Sequence, residues 1–134
     1  MKLLITALFA SFFMNSQEIP LNSSNFNKYI NEVYLEQSET IVFSNPVHLK
    51  NKKALLKRVF IINNVERPSI KHDNFENLHK INTYNKKLGA SLPDYLEPSL
   101  FNPFLYKMDI YNDQTVFYYY SKSKQLIKIY PTKQ

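Results

Sequence analysis

The last third of the chain contains three apolar stretches separated by short polar turns, and this pattern constrains the fold most strongly. Residues 104–111, 115–120 and 125–130 are rich in the aromatic and branched side chains that favour strands. The linking residues 112–114 and 121–124 are polar and short enough to form hairpin turns. The sequence therefore predicts a three-stranded antiparallel meander.

The register of this meander follows from requiring that one of its faces be apolar. Tight turns place Val116 opposite Ile129 and Tyr118 opposite Ile127, whereas a slip of one residue would bury Asp109 or Lys128. The predicted core face carries Tyr106, Met108, Ile110, Val116, Tyr118, Ile127 and Ile129. The opposite face mixes aromatic and charged side chains: Lys107, Asp109, Phe117, Tyr119 and Lys128.

The earlier part of the chain adds helices and further strands. An apolar stripe after Ser23 and Ser24 predicts an N-terminal helix, formed by Phe26, Tyr29, Ile30, Val33 and Tyr34. Residues 40–43 and 59–62 are strand candidates, a short helix is expected to begin at Asp73 or Asn74, and 85–103 has an irregular pattern. We expect an α+β fold with the N-terminal helix packed on an antiparallel sheet. A cystatin-like or NTF2-like plan is compatible with it.

Residues 1–16 have the order of an export signal. Lys2 precedes an apolar run of about 12 residues, shorter than the roughly 20 needed to span a bilayer. We therefore predict a signal peptide over 1–16, no transmembrane anchor, and a single exported domain over 17–134, either periplasmic or secreted. A buried N-terminal helix is the alternative. The chain has no cysteine, which excludes a lipoprotein anchor and disulfides.

The positive charge of the chain is carried almost entirely by lysine. The formal net charge is +6, and only Arg58 and Arg67 among the 17 basic residues are arginine. Because arginine provides most bidentate recognition of phosphates and bases, no nucleic-acid partner is expected. The cluster Lys50, Lys52, Lys53, Lys57 and Arg58 could bind an anionic polymer, or could be a solvated turn between two strands.

One group of residues has spacing suited to a metal site. His72, Glu76 and His79 would share one face of a continuous helix, but Asp73 and Asn74 are natural caps that would leave His72 outside it. We therefore expect no metal and no cofactor. The single glycine and the absence of cysteine also exclude phosphate-binding glycine loops and thiol nucleophiles.

These observations favour a small exported binding module. Its partner would be an anionic or ring-bearing ligand, such as an envelope polymer, or another exported protein. The candidate binding residues are Lys52, Lys53, Lys57, Arg58, Lys107, Phe117, Tyr119 and Lys128. The aromatic sheet face could be an open platform, which would also include Tyr111 and Tyr130, or could be buried under residues 85–103. A small hydrolase, either metal-dependent or based on two carboxylates, is the alternative function.

Overall fold

The computed structural model describes residues 17–78, 84–85, 88 and 91–132, and shows an α+β fold with a five-stranded sheet. The proposed signal peptide and His79 lie outside these residues. In the part of the chain that is described, no helix has the length and apolar character needed to cross a membrane. The elements are β1 (Glu18–Pro20), α1 (Phe26–Tyr34), α2 (Pro46–Arg58), β2 (Val59–Ile62), β3 (Asp73–Asn74), β4 (Val116–Tyr120) and β5 (Gln125–Ile129).

The sheet is mixed rather than wholly antiparallel. Its strand order is β1-β2-β5-β4-β3, and only the short edge strand β3 runs parallel to its neighbour. The hairpin of β4 and β5 has the predicted register, with Val116 opposite Ile129 and Tyr118 opposite Ile127. Tyr118, Ile127 and Ile129 are buried on one sheet face, which also contacts α1 residues through the main core cluster.

The predicted strand over 104–111 is wrong, so the C-terminal region is a two-stranded hairpin. A 3-10 turn covers Pro103–Leu105, and the Asn102 side chain accepts a hydrogen bond from the Phe104 amide at its start. After Tyr106, the chain is irregular. The apolar alternation arises because Tyr106 and Met108 pack into the core without joining the β4–β5 ladder. β5 is paired with β2 on its other side.

Three further local predictions are corrected. Residues 40–43 lie in the π-helical turn Glu39–Phe43 and do not form a strand. Residues 50–53 are not a solvated turn, because they lie inside α2, which starts with an Asn45 cap and Pro46. The expected second helix is only a 3-10 turn, Phe75–Asn77, after β3.

Helix α1 is present where the apolar stripe predicted it. Its buried residues are Phe26, Tyr29, Ile30 and Val33, and they belong to the same core cluster as the sheet. The short 3-10 turn before it is capped by Asn22, whose side chain accepts a hydrogen bond from the Ser24 amide at 3.1 Å. The sequence offers Ser23 and Ser24 as caps, but Asn22 provides the cap instead, and asparagine is an equally favourable cap residue.

An aromatic cluster joins the irregular C-terminal segment to the core face of the sheet. The Phe75 ring lies at the centre, with ring centroids 4.8 Å from Tyr106, 5.2 Å from Tyr120 and 5.9 Å from Phe101. The rings of Phe101 and Tyr106 stack on each other at 5.6 Å. Burial, with smaller contributions from Tyr120 and Glu32, raises the pKa of Tyr106 to about 12.

Residues 91–105 are held on this same side of the sheet by buried polar side chains. The Gln125 amide is fully buried and donates to the Leu96 carbonyl while accepting from the Leu96 amide, each at 2.7 Å. The Asn102 side chain donates to the Tyr29 carbonyl at 3.0 Å, and the Tyr120 hydroxyl donates to the Pro93 carbonyl. The segment therefore packs beside α1 and does not cross to the opposite face.

Replacing Gln125 by leucine should destabilise the fold. The change preserves size but leaves the Leu96 amide and carbonyl without their buried partner, which we expect to cost about 1–3 kcal/mol of unfolding free energy. Urea unfolding measures this loss, and amide hydrogen exchange at Leu96 should accelerate with it. Gln37→Leu, at an exposed position, is the control and should change stability by no more than about 0.5 kcal/mol. Equal effects of the two substitutions would contradict the role assigned to Gln125.

Candidate functional site

The opposite face of the sheet presents a row of large side chains that crosses four strands. Phe60 on β2 is opposite Pro20 on β1 and Lys128 on β5, and Lys128 is opposite Phe117 on β4. Neighbouring strands are about 4.8 Å apart, so the two phenylalanine backbones are separated by about 10 Å. Because the side chains of Phe60 and Phe117 are only partly buried, they can contact a ligand.

An ion pair lies in the middle of this row. The Lys128 ammonium donates to a Glu18 carboxylate oxygen at 2.9 Å, and the Tyr130 hydroxyl donates to the other oxygen. The same ammonium is 4.5 Å from the centroid of the Tyr130 ring and 5.9 Å from that of Phe117. The Phe60 ring meets Tyr130 edge-on at 5.3 Å. We call Glu18, Phe60, Phe117, Lys128 and Tyr130 the aromatic face.

The two charges of the aromatic face stabilise each other. Burial disfavours ionised Glu18, but hydrogen bonds from Tyr130 and Lys128, with the charge of Lys128, outweigh it and lower the Glu18 pKa. Burial likewise disfavours the Lys128 ammonium, but its interactions with Tyr130 and Glu18 outweigh that effect and raise its pKa. The Lys128 side chain is only 20% exposed. Both groups are therefore ionised at neutral pH, and the pair is electrically neutral as a unit.

The other half of this sheet face is covered, but by a different segment from the one expected. Ile62, Tyr119 and Leu126 form a small buried cluster with Val65 and Phe117 packed against it. The Tyr119 hydroxyl donates to the Val65 carbonyl at 2.6 Å, and its ring meets that of His72 edge-on. The predicted cover, residues 85–103, packs on the other side where it is described, so Tyr119 is buried by residues 65–72 instead.

A polar groove adjoins the aromatic face at the edge of the sheet. Two neighbouring cavities of about 520 and 380 Å³ share His72 and Asp73 in their walls. The smaller cavity is also lined by Lys71, Asp109, Asn112, Gln114 and Phe117. We call these seven residues the polar groove. Phe117 belongs to both features, so the groove and the aromatic face are continuous.

Hydrogen bonds hold the wall of the polar groove, two of them within the irregular segment that precedes β4 and one to β4 itself. Asn112 donates to the Asp109 carboxylate at 2.8 Å and accepts from the Gln114 amide at 2.9 Å. The Asp109 amide donates to the Tyr118 hydroxyl at 2.7 Å. Burial raises the pKa of Tyr118, partly opposed by this hydrogen bond. The turn is therefore tied to the sheet, with Asp109 and Gln114 exposed.

The predicted basic residues do not gather beside the aromatic face. The Lys52 ammonium lies 5.4 Å from the Tyr34 ring centroid, and that of Lys53 lies 5.7 Å from the Phe26 ring. Arg58 donates to the carbonyls of Ile110 and Tyr130, at 3.1 and 2.9 Å. The Arg58 guanidinium is therefore held by the protein backbone, whereas Lys53 stays exposed and Lys52 half-buried beside the rings. Lys57 is exposed near the end of α2.

Two residues predicted for the second sheet face lie elsewhere. Lys107 is exposed, but it belongs to the irregular segment and has no strand register that would place it beside Phe117. Tyr111 is 74% exposed and lines a small cavity with Arg58 and α2. The prediction for Lys107 depended on the strand over 104–111, which is absent. Of the predicted binding residues, Phe117, Tyr119 and Lys128 share the face as expected from their alternation.

His72 and Glu76 are not placed on one helix. His72 precedes β3, where its Nδ1 atom lies 2.8 Å from the Ile70 carbonyl, and Glu76 accepts a hydrogen bond from the Ser121 hydroxyl. Among the described residues, no group of three or more histidines and acidic side chains could hold a metal ion. With His79 outside those residues, the metal prediction stays a prediction.

Comparisons of the chain with protein-family models, with curated proteins and with solved structures found no match. The functional argument consequently depends on the geometry of the site alone.

Nothing in the sequence groups Glu18, Phe60 and Tyr130 into one site. Glu18 and Phe60 were not assigned to the face, and Tyr130 was considered only as a ring. The β2 stretch Val59–Ile62 was recognised as a buried strand, but nothing in the sequence marked β5 as its partner. Pairing of β1 with β2 is what brings Glu18 within reach of Lys128.

Removing the Glu18 charge should alter the pH dependence of stability. Because the folded-state pKa of Glu18 is lowered, its ionisation stabilises the fold above the unfolded-state value near 4.5. This stabilisation is lost as the pH falls through the lowered pKa. Glu18→Gln should therefore reduce the free energy of unfolding at pH 7 by about 1.5 kcal/mol, and should flatten the loss of stability below pH 4.5.

Glu66→Gln is the matched control for this experiment. Glu66 also pairs with a lysine, Lys124, at 3.0 Å, but the two side chains are 75% and 55% exposed. Exposed pairs contribute little, so we expect a change of no more than about 0.5 kcal/mol. Urea unfolding at several pH values measures both variants. Identical pH profiles for the two variants would show that the Glu18 pair has no special role.

Proposed function

We propose that this chain is a small exported binding module whose aromatic face recognises a polysaccharide of the envelope or the extracellular space. The observation that carries the proposal is the partly exposed row of Phe60, Lys128 and Phe117 across three adjacent strands. Flat rings on a rigid sheet are suited to stacking against the apolar faces of sugar rings, because both surfaces are preorganised. The polar groups of Glu18, Lys128 and Tyr130 between the rings can also accept and donate hydrogen bonds.

The charges of the site favour ring recognition over charge recognition. Lys128 would attract an anion if it were free, but Glu18 neutralises it at 2.9 Å. Lys52 and Lys53 face aromatic rings, and Arg58 is bound to backbone carbonyls. The exposed lysines Lys50, Lys53 and Lys57 lie on α2 and not on the strands that carry the aromatic face, so the charges of the face itself do not favour an anionic ligand. We expect only a weak dependence of binding on salt concentration.

Export is part of the proposal and is supported by the apolar run within residues 1–16. The N-terminal sequence of protein recovered outside the cytoplasm should begin near Gln17. A cystatin-like or NTF2-like arrangement of helix and sheet also remains a proposal, since fold-level analogy is its only basis.

Truncating the partly exposed Phe117 should weaken binding. The purified protein is mixed with insoluble chitin, cellulose and peptidoglycan, and the bound fraction is measured at several salt concentrations. A stacked ring contributes on the order of 1 kcal/mol, so Phe117→Ala should raise the Kd for the retained polymer about three- to tenfold. Phe60→Ala should act in the same direction.

Tyr111→Ala is the matched control, because it removes an exposed ring that lies beside Arg58 and outside the aromatic face. It should leave the Kd unchanged. Circular dichroism melts verify that each variant is folded. Binding to none of the polymers, or equal losses for Tyr111→Ala and Phe117→Ala, would contradict the proposal.

A carboxylate-based hydrolase is the second candidate, and the observation that favours it is the presence of Asp73 and Asp109 in one cavity. Both residues are exposed, whereas a general acid needs an environment that keeps it protonated at the working pH. Binding is therefore the better-supported function. Release of reducing sugar from a bound polymer, abolished in Asp73→Asn and Asp109→Asn, would establish the hydrolase instead.

A further inference from the structure

We infer that the polar groove is a subsite for one neutral sugar unit of the polymer that stacks on the aromatic face. This inference rests on the proposed function and specifies the chemistry of its ligand. It is carried by the continuity of the two features through Phe117 and by the size of the cavity. A volume of about 380 Å³ falls in the range of small-ligand sites, roughly 300–1,000 Å³.

The polar groove contains both hydrogen-bond donors and hydrogen-bond acceptors beside the Phe117 ring. The Asp73 and Asp109 carboxylates accept, the Lys71 ammonium donates, and the Gln114 amide does both. Phe117 supplies an aromatic surface at the same position. A sugar unit needs this combination, because its hydroxyl groups both donate and accept while its ring carbons present an apolar face.

His72 provides an acceptor whose tautomer is set by the fold. Its Nδ1 atom lies 2.8 Å from the Ile70 carbonyl, which can only accept, so Nδ1 carries the proton. In the neutral ring, Nε2 is then an acceptor. The edge-on contact with the Tyr119 ring at 5.8 Å helps to fix the ring plane. His72 is therefore ready to accept a hydrogen bond from a ligand hydroxyl without a change of tautomer.

The charges around the groove oppose an anionic ligand. Asp73 and Asp109 would repel an anion entering the cavity. Like charges brought close together cost free energy even near a protein surface. A neutral polyhydroxylated ring avoids this penalty and can use both the acceptors and the donors of the groove, and it is the class of ligand that we assign to this subsite.

Two substitutions test the groove without touching the aromatic face. His72→Phe keeps an aromatic ring against Tyr119 but removes both ring nitrogens, and Gln114→Ala removes an exposed amide. The probes are soluble neutral oligomers of glucose and of N-acetylglucosamine, titrated by calorimetry at two salt concentrations. Loss of one hydrogen bond corresponds to about a three- to tenfold increase in Kd. We expect such an increase for each variant with the oligomer that binds.

The controls separate this inference from the proposed function. Gln37→Ala, an exposed glutamine in a 3-10 turn far along the chain from the groove, should bind like the unmodified protein. If Phe117→Ala weakens binding while His72→Phe and Gln114→Ala do not, the aromatic face binds the polymer and the groove assignment is wrong. If charged oligosaccharides bind more tightly than neutral ones, the assignment of a neutral ligand is overturned. If no oligomer or polymer binds, the proposed function fails as well.

Discussion

The buried amide of Gln125 determines which face of the sheet is available to a ligand. The Gln125 side chain bonds both the amide and the carbonyl of Leu96, as the backbone of a neighbouring strand would do. A third hydrogen bond joins it to the Asn63 side chain. Residues 91–105 carry many apolar anchors and would cover whichever face they packed against. Because Gln125 points to the α1 side, those anchors complete the main core there. Among the described residues, 65–72 partly cover the opposite face.

The Glu18–Lys128 ion pair on the open face holds the Lys128 side chain in place and contributes little to ligand binding itself. Glu18 comes from the edge strand β1 and Lys128 from β5, and Tyr130 comes directly after the last residue of β5. The pair joins the edge strand to the centre of the sheet and holds the Lys128 stem between Phe60 and Phe117. A long lysine side chain can cover apolar surface in this way while its head group stays bonded. The result is a flat, neutral surface bordered by two phenyl rings.

The sequence allowed only part of this architecture to be predicted. The β4–β5 register could be predicted, because a slip of one residue would bury Asp109 or Lys128. The shared face of Phe117, Tyr119 and Lys128 follows from it. The apolar alternation over 104–111 wrongly predicted a strand. Tyr106 and Met108 are two residues apart and both pack into the core, although the chain there is irregular. The sequence did not indicate α2 as an amphipathic helix, because five of the nine residues from 50 to 58 are basic. Pairings between distant segments, such as Glu18 with Lys128, depend on tertiary structure and leave no local signal.

The most direct test of the central claim is a map of the ligand on the protein. Amide and aromatic chemical-shift changes are measured by NMR while a neutral oligosaccharide that binds is added. We predict that the changes concentrate on Phe60, Phe117, Lys128 and Tyr130 and extend to His72 and Gln114, while α1 and α2 are unaffected. Changes confined to Lys52, Lys53 and Lys57, or distributed without relation to the aromatic face, would contradict this account.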